Sequence, residues 1–170
     1  MTQISPEPQS AAVPIDTREF RNALGQFTTG VCLVTLMDDA GVAHALTVNS
    51  FASVSLDPPL VLWSLQKDSE VYSLFAEAQR FAIGVLSATQ ESHSSTYAQK
   101  GMHHMDVAHY AIGENGAPVV HGALANFECS LERAIDGGDH TILLGRVTRM
   151  QQGESAEPLV FHGGAYRLLR

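Results

Sequence analysis

The sequence predicts a mainly β protein, an antiparallel barrel that is closed or split and carries peripheral helices. Three observations favour this class. Most apolar runs are short, rich in large and β-branched residues, and separated by Asn, Gly or Pro. They follow one another through tight-turn signals and lack the helical crossovers that parallel strands require. A barrel is also the simplest way to protect so many strand edges from open pairing.

Length and composition are typical of one compact domain. The 170 residues are 45% apolar and 16% charged, enough to form a core. The net charge of −8, without a basic run, argues against binding nucleic acid or an anionic membrane. No stretch reaches the roughly 20 apolar residues of a membrane helix, and residues 1–14 lack the features of a signal peptide. We therefore expect a cytoplasmic protein.

The chain begins with a segment unlike the rest. Residues 1–14 hold three of the seven prolines and predict a flexible tail, followed by a single domain over residues 15–170. Asp16 and Glu19 have the spacing of a capping box, which predicts a helix of about three turns. Its apolar side repeats at helical spacing through Phe20, Ala23, Leu24 and Phe27.

The first half of the domain alternates strands with turns. Strands are predicted over the stretches 30–37, 42–50, 51–55 and 60–65. Pro58 and Pro59 cannot donate to a central ladder and should mark a strand break. A helix should then follow, capped by Asp68 or Ser69. Its buried residues should be Val71, Leu74, Phe75 and Ala78.

The second half predicts a strand over 81–87, a polar-faced helix over 89–101 and a long surface loop over 101–118. The turn Asp136-Gly137-Gly138-Asp139 predicts a hairpin of two long strands over 123–135 and 140–152. A shorter hairpin should turn about Gly163 and Gly164. In both halves the large strand residues, such as Trp63, are expected in the core.

The easily recognised catalytic and metal motifs are missing. The chain has no G-x-S-x-G, P-loop, H-E-x-x-H or dinucleotide-binding glycine pattern. Cys32 and Cys129 sit in apolar stretches and are expected to be reduced core residues. His103, His104 and His109 lack partner ligands at metal-site spacing. We predict no metal site and expect these histidines to be solvated.

One segment is unusually rich in neutral hydrogen-bonding groups. Residues 47–59 place an amide and several hydroxyls on a short strand–turn–strand, which could bind a polar ring edge, a ribityl-like chain or a phosphate. Lys67 and Ser69 stand where the next helix is expected to begin, a favourable position for a phosphate. The residues alone leave an alternative open, a polar outer strand face followed by a helix cap.

Seven short motifs follow one another and are specific as an ordered set. They are F-x6-F-x-T-G-V with V-T (20–35), T-V-N-S-F-A-S-V-S-L-D-P-P-L-V (47–61), K-x-S (67–69), G-x-P (116–118), L-x-x-F-E-C (124–129), G-D-H (138–140) and P-L-V-F-H-G-G-x-Y (158–166). With these motifs the chain resembles the short-chain flavin reductases, the reductase components of two-component flavin-dependent monooxygenases. The resemblance covers almost the whole chain after residue 20.

The resemblance implies an FMN-binding split barrel, a Greek-key antiparallel barrel. It also implies an NAD(P)H-dependent flavin reductase, which transfers a hydride from NADH or NADPH to FMN or FAD and passes the reduced flavin to a separate monooxygenase. Members usually form homodimers. Two alternatives remain open: a flavin carrier or storage protein without reductase activity, and a protein with tightly bound flavin that reduces its own small substrate.

The resemblance also assigns candidate flavin-binding residues. Those expected at the edge of the isoalloxazine ring are Thr47, Val48, Asn49 and Ser50. Those expected along the ribityl chain and phosphate are Ser53, Val54 and Ser55. The stretch 64–69 is expected to hold the phosphate end, through Ser64, Lys67 and Ser69.

A last group is expected at the reacting face of the flavin. The resemblance places His140, the candidate catalytic residue, near the nicotinamide or the exposed face of the flavin, with Tyr166 close by. Asp139 is expected to shape the turn or orient His140. The physical chemistry agrees with this assignment, because hydride transfer is supplied by the two cofactors and the protein has to hold their rings together.

Overall fold

The structure, a computed structural model, describes residues 14–169. Its α-helices are α1 (Thr17–Leu24), α2 (Tyr72–Ala76) and α3 (Glu91–Tyr97). Its strands are β1 (Thr29–Gly30), β2 (Cys32–Met37), β3 (Ala43–Val48), β4 (Ala52–Leu56), β5 (Pro59–Gln66), β6 (Arg80–Val85), β7 (Tyr110–Ile112), β8 (Pro118–Val120), β9 (Ala125–Gly137), β10 (His140–Gln152), β11 (Val160–His162) and β12 (Ala165–Arg167). The predicted tail, apart from Pro14, lies outside the described residues.

A seven-stranded antiparallel sheet organises the domain, in the order β3-β2-β6-β9-β10-β5-β4. Its edge strands, β3 and β4, are joined by only three residues, 49–51. Their adjoining ends can therefore lie no more than roughly 14 Å apart, which requires the sheet to curl. The mainly β, antiparallel class predicted from the sequence is confirmed. Smaller sheets, β1-β11-β12 and β7-β8, accompany the main sheet.

The core forms on both faces of β2. Cys32, Val34 and Leu36 pack into one apolar cluster with Trp63, whereas Leu33 belongs to a second cluster. Because successive side chains of a strand point to opposite faces, a strand buried on both faces reads as the continuous apolar run seen in the sequence. The second cluster includes Val31, Leu33, Leu86, Tyr97, Val120 and Leu159.

Trp63 and the two cysteines occupy the core positions predicted for them. Trp63 is fully buried and makes edge-on contacts with Phe75 and Phe81, at ring-centroid distances of 5.9 and 6.1 Å. Cys32 and Cys129 are buried and unbridged. Burial raises the pKa of each thiol to about 12, so both remain protonated near neutral pH.

Asp16 caps α1 as predicted, but the helix has eight residues, fewer than the three turns expected, and its apolar side is exposed. The Asp16 carboxylate accepts hydrogen bonds from the backbone N–H groups of Arg18 and Glu19, at 2.9 and 2.8 Å. No residue of α1 is buried, and Phe20 and Leu24 are each more than half exposed. The helix therefore presents an unpartnered apolar surface within the described chain.

The helix predicted from Asp68 or Ser69 begins later and is shorter. Helix α2 starts at Tyr72 and has no side-chain cap. The backbone N–H of Lys67 instead donates to the carbonyl of Asp139 at 2.9 Å, and Ser69 donates to Gln66 in a turn. The backbone turns at residues 66–69 and, through the Tyr72 N–H and the Ser69 carbonyl, again at 69–72 before α2 begins, so the predicted cap was wrong. Phe75 is buried as expected.

The 101–118 segment is more ordered than the predicted surface loop. It contains β7 and enters β8, and the turn between these strands is fixed by Asn115. The Asn115 N–H donates to the buried Glu128 carboxylate at 2.7 Å, and its side-chain amide donates to the Phe81 and Cys129 carbonyls. His103, expected to be solvated, is buried. Long-range polar contacts of this kind leave no periodic signal in the sequence.

Candidate functional site

A polar cleft of about 410 Å³ lies beside the ends of β3 and β5. This volume falls within the range of roughly 300–1,000 Å³ that is usual for small-molecule sites. The cleft is lined by Leu46, Thr47, Val48, Asn49, Ser50, Ser64, Gln66, Asp68, Ser69, Glu70, Ala98, Lys100, His103 and His140. Seven of the predicted site residues are among them: Thr47, Val48, Asn49, Ser50, Ser64, Ser69 and His140.

The free edge of β3 forms one wall of the cleft. Ala45 donates its N–H to the His103 carbonyl at 2.8 Å. Every second residue along β3, counted from Ala45, therefore directs its peptide N–H and C=O away from β2. Thr47 lies two residues after Ala45 and has the same peptide orientation. Its N–H and C=O have no hydrogen-bond partner within residues 14–169. Its side-chain hydroxyl donates to the Ser94 carbonyl at 2.7 Å. The wall thus offers an unpaired backbone donor and acceptor.

Alternate side chains of β5 form the wall of the cleft opposite β3. Trp63 and Leu65 point into the core, so the period of two directs Ser64 and Gln66 to the opposite face, where they line the cleft. Ser50 joins the two walls, because its hydroxyl accepts from the Ser64 N–H at 2.9 Å. The polar groups of this region are therefore fixed by hydrogen bonds within the protein before any ligand enters.

Only one residue of the K-x-S motif lies on the cleft. Ser69 lines it, whereas the Lys67 ammonium donates to the Asp136 carboxylate and, at 2.6 Å, to the Gly138 carbonyl. The hydrogen bond to Asp136 raises the pKa of Lys67 and lowers that of Asp136. Lys67 is thus engaged with the β9–β10 turn and is not among the residues that line the cleft.

Lys100 is the lysine that lines the cleft, and the sequence reasoning missed it. It is exposed and makes no ion pair within the described residues 14–169. The following residue, Gly101, has a φ of 75° and lies in the turn after α3. A lysine before a glycine at the end of a predicted helix is the signal that could have found it.

Glu70 holds the Lys100 segment against the cleft. Its carboxylate accepts from the Gly101 N–H and lies 3.1 Å from His103 Nε2. The other ring nitrogen of His103 lies 3.1 Å from the Ala45 carbonyl. Glu70 and His103 thus connect the segment carrying Lys100 to β3, an arrangement that the separate positions of these residues in the sequence did not reveal.

His140 faces the cleft from the tip of the β9–β10 hairpin. Its Nδ1 lies 2.8 Å from an oxygen of the Asp139 carboxylate, and this hydrogen bond lowers the pKa of Asp139. This contact agrees with one of the two roles expected for Asp139, that of orienting His140. The bond engages Nδ1 and leaves Nε2 as the ring nitrogen available to a ligand.

The remaining predicted site residues lie off the cleft wall. Ser53, Val54 and Ser55 are on edge strand β4, which has a register shift between Ser53 and Ser55. The Tyr166 hydroxyl lies 2.7 Å from the Ser94 hydroxyl, and the Ser94 carbonyl accepts from Thr47. Tyr166 thus contacts the residue behind the Thr47 wall.

A second cleft, of about 780 Å³, adjoins the first. It is lined by residues at the end of α1, by Phe27 and Thr29, and by the terminal hairpin around Gly163 and Gly164. Asn49 lines both clefts, so the two spaces meet at this residue.

The fold and the polar cleft together define the class of a small-molecule-binding split barrel. The chain belongs to the flavin reductase like domain family, whose model matches residues 24–170. Membership confirms the resemblance inferred from the ordered motifs.

Individual relatives agree with this family. The chain is 50% identical over 151 residues to FMN reductase (NADH) SmoA of Agrobacterium fabrum, covering 89% of this chain and 85% of that protein. It is 36% identical over 166 residues to HsaB of Rhodococcus jostii, a flavin-dependent monooxygenase reductase subunit, covering 98% and 85%.

The fold is similar to that of NADH:FAD oxidoreductase SgcE6 of Streptomyces globisporus, solved in complex with NAD and FAD fragments. The TM-score is 0.85 at 36% identity, covering 94% of this chain and 98% of that one. The split-barrel expectation is confirmed. Within the described residues, no helix is long and apolar enough to cross a membrane.

Proposed function

We propose that this chain is an NADH-dependent flavin reductase that reduces FMN or FAD and releases the reduced flavin to a separate flavin-dependent monooxygenase. The observation that carries the proposal is the unpaired peptide edge at Thr47, placed in the same cleft as His140. The names of SmoA and SgcE6 support NADH as the donor, and HsaB supports a partner monooxygenase.

The cleft residues fit a flavin. A flavin ring has a polar pyrimidine edge with alternating donors and acceptors, which the Thr47 peptide can match without losing an internal hydrogen bond. When bound, the flavin supplies the hydride-accepting chemistry. The Thr47 N–H and the Asn49 amide would be the donors available to stabilise negative charge on this edge of the ring. Ser50 and Ser64 hold this wall rigid.

Ser69 and Lys100 would hold the phosphate end. A hydroxyl and an unpaired ammonium on the same cleft are suitable donors for a phosphate. Glu70 does not oppose this assignment, because its carboxylate is engaged by Gly101 and His103. Asp68 is the lining carboxylate without an ion-pair partner among residues 14–169. The assignment of Ser53, Val54 and Ser55 to the ribityl side rests on the resemblance alone.

His140 would orient the nicotinamide against the flavin. His140 lines the cleft, and its Nδ1 is engaged by Asp139, which leaves Nε2 available. Holding the donor and acceptor rings at reacting distance is the protein's main contribution to such a transfer. Tyr166 would support the flavin wall from behind through Ser94.

Added flavin should control the activity of the purified protein. We expect NADH oxidation to rise steeply when FMN or FAD is added and to saturate with flavin concentration, because the flavin is the hydride acceptor. The measurement is the loss of NADH absorbance with each flavin, repeated with NADPH. Flavin binding without NADH oxidation would favour the carrier alternative. Flavin that survives dialysis at stoichiometric occupancy would favour the alternative with a tightly bound flavin.

We also propose a cytoplasmic homodimer in which α1 contacts the partner copy. The apolar side of α1 is exposed through Phe20 and Leu24, and Phe27 beside it is 78% exposed. Apolar surfaces of this kind often mark interfaces. The adjoining second cleft shares Asn49 with the flavin cleft, so a partner seated there would lie beside the flavin site.

Charging this surface should separate the subunits. We expect the wild-type protein to sediment as a dimer at micromolar concentration, and Phe20→Glu with Leu24→Glu to shift it towards the monomer. The matched control is Leu56→Glu, an apolar-to-acidic change at a side chain that is 95% exposed on the β4–β5 turn. A wild-type monomer, or dissociation by the control variant, would contradict the assignment of α1.

A further inference from the structure

Lys67, the residue that follows β5, makes hydrogen bonds to the tip of the β9–β10 hairpin. The Lys67 ammonium donates to the Asp136 carboxylate on one side of the turn and to the Gly138 carbonyl at its apex. The Lys67 N–H also donates to the Asp139 carbonyl at 2.9 Å. Lys67 thus contacts three residues of the turn before His140, namely Asp136, Gly138 and Asp139.

The two residues at the apex of the hairpin, Gly138 and Asp139, have no ladder partners of their own among the described residues. The last six residues of β9, Glu132 to Gly137 in sequence, fall outside the core, and the ladder between β5 and β10 ends at the pair Gln66 and His140. His140 also pairs with Gly137 at the end of the hairpin, so only the turn residues Gly138 and Asp139 lie beyond this three-stranded ladder. The Lys67 side chain extends the support past the end of the ladder.

We propose that Lys67 is a positioning residue, which with Asp136 fixes the hairpin turn so that His140 faces the cleft, and that it does not bind the phosphate of the ligand. The inference rests on the proposed flavin reductase function and deepens it. It assigns the two lysines separate roles: Lys100 faces the ligand, whereas Lys67 acts through His140.

The electrostatic setting agrees with this division. The carboxylates of Asp136 and Asp139 flank the turn, and the Lys67 ammonium is hydrogen-bonded to that of Asp136. An exposed ion pair of this type adds little to global stability. Its loss should therefore change the placement of His140 with little change in unfolding, which separates a positioning role from a general structural one.

The test compares Lys67→Met and Asp136→Asn with a matched control on the same hairpin. The control is Glu132→Gln, which removes an ion pair between β9 and β10. Its partner is Arg146, six positions along β10 from His140. We expect both test variants to lower kcat for NADH oxidation by about tenfold, less than the roughly 100-fold that a 1 Å misplacement can produce. FMN affinity and the unfolding midpoint should stay at the wild-type values.

Two further results are expected. The double variant should be no slower than either single variant, and Lys67→Arg should restore most of kcat because it can reach the same acceptors. In the flavin-free protein, the NMR signals of the His140 ring should shift in both test variants and stay unchanged in Glu132→Gln. That readout does not depend on turnover.

The contrary results are distinct. A rise in the FMN dissociation constant in Lys67→Met but not in Asp136→Asn would make Lys67 a phosphate ligand and overturn the proposal. Unchanged kcat and unchanged His140 signals in both variants would also overturn it. If the wild-type protein fails to oxidise NADH with any flavin while the His140 signals still shift, the proposed function fails and the positioning of His140 stands.

Discussion

Replacing Lys100 by methionine is expected to weaken FMN binding by about 10- to 100-fold, the affinity equivalent of one charge-assisted hydrogen bond. Lys100 lines the cleft and has no ion-pair partner among residues 14–169, so its charge is available to a phosphate. Methionine keeps most of the apolar stem and removes the charge. The measurement is a titration of flavin fluorescence with the purified variant and wild type.

Riboflavin provides the decisive comparison, because it has the same ring and ribityl chain as FMN but no phosphate. Its affinity should be equal in wild type and in Lys100→Met. Asp68→Asn should move FMN affinity in the opposite direction, since it removes a carboxylate from the same cleft. Equal losses for riboflavin and FMN in Lys100→Met would show that Lys100 shapes the cleft and does not contact the phosphate.

Local patterns were sufficient for most of the strands. The turn Asp136-Gly137-Gly138-Asp139 predicted the β9–β10 hairpin because a glycine there can adopt the positive φ that tight turns need, and Gly138 has a φ of 80°. The apolar run in β2 was equally informative. The β7–β8 hairpin was missed because its turn is fixed by a residue distant in sequence, Glu128. The α2 start was missed because Ser69 and Tyr72 make backbone turns there, which the apolar spacing of the segment does not reveal.

The candidate site was predictable only in part, for a similar reason. The segment from Thr47 to Ser50 and the tip residue His140 carry motifs, and the structure brings them to one cleft. The availability of the Thr47 peptide could not be predicted, because it depends on which strand lies at the edge of the sheet. The partner of Lys67 could not be predicted either, since Asp136 is 69 positions away.

The buried His103, which contacts the exposed Glu70, shows how composition can mislead. A histidine in a segment rich in Gly and His was expected to be solvated, yet its ring bridges the Ala45 carbonyl and the Glu70 carboxylate. Both ring nitrogens of a buried histidine need partners, and both partners here come from other elements. The same contacts place Lys100 on the cleft, so the missed histidine and the missed lysine have a common cause.

Replacing Trp63 by alanine is expected to lower the free energy of unfolding by about 3–5 kcal/mol, the usual loss for a buried aromatic residue. Trp63 is fully buried between Phe75 and Phe81. The cavity would lie directly beneath Ser64, its neighbour on β5, whose peptide holds Ser50. We therefore expect weaker FMN binding in the same variant, because the core under the cleft wall is lost.

Urea denaturation followed by circular dichroism measures this change, since Trp63 is the one tryptophan of the chain and its fluorescence disappears with the substitution. Leu56→Ala is the matched control, because Leu56 is 95% exposed and its loss should change stability by less than about 0.5 kcal/mol. Trp63→Phe should lose less than Trp63→Ala: the indole N–H has no partner within the described chain, so phenylalanine removes volume but no hydrogen bond. If Trp63→Ala and Leu56→Ala unfold at the same urea concentration, Trp63 does not support the barrel core, and the coupling inferred between that core and the cleft wall is wrong.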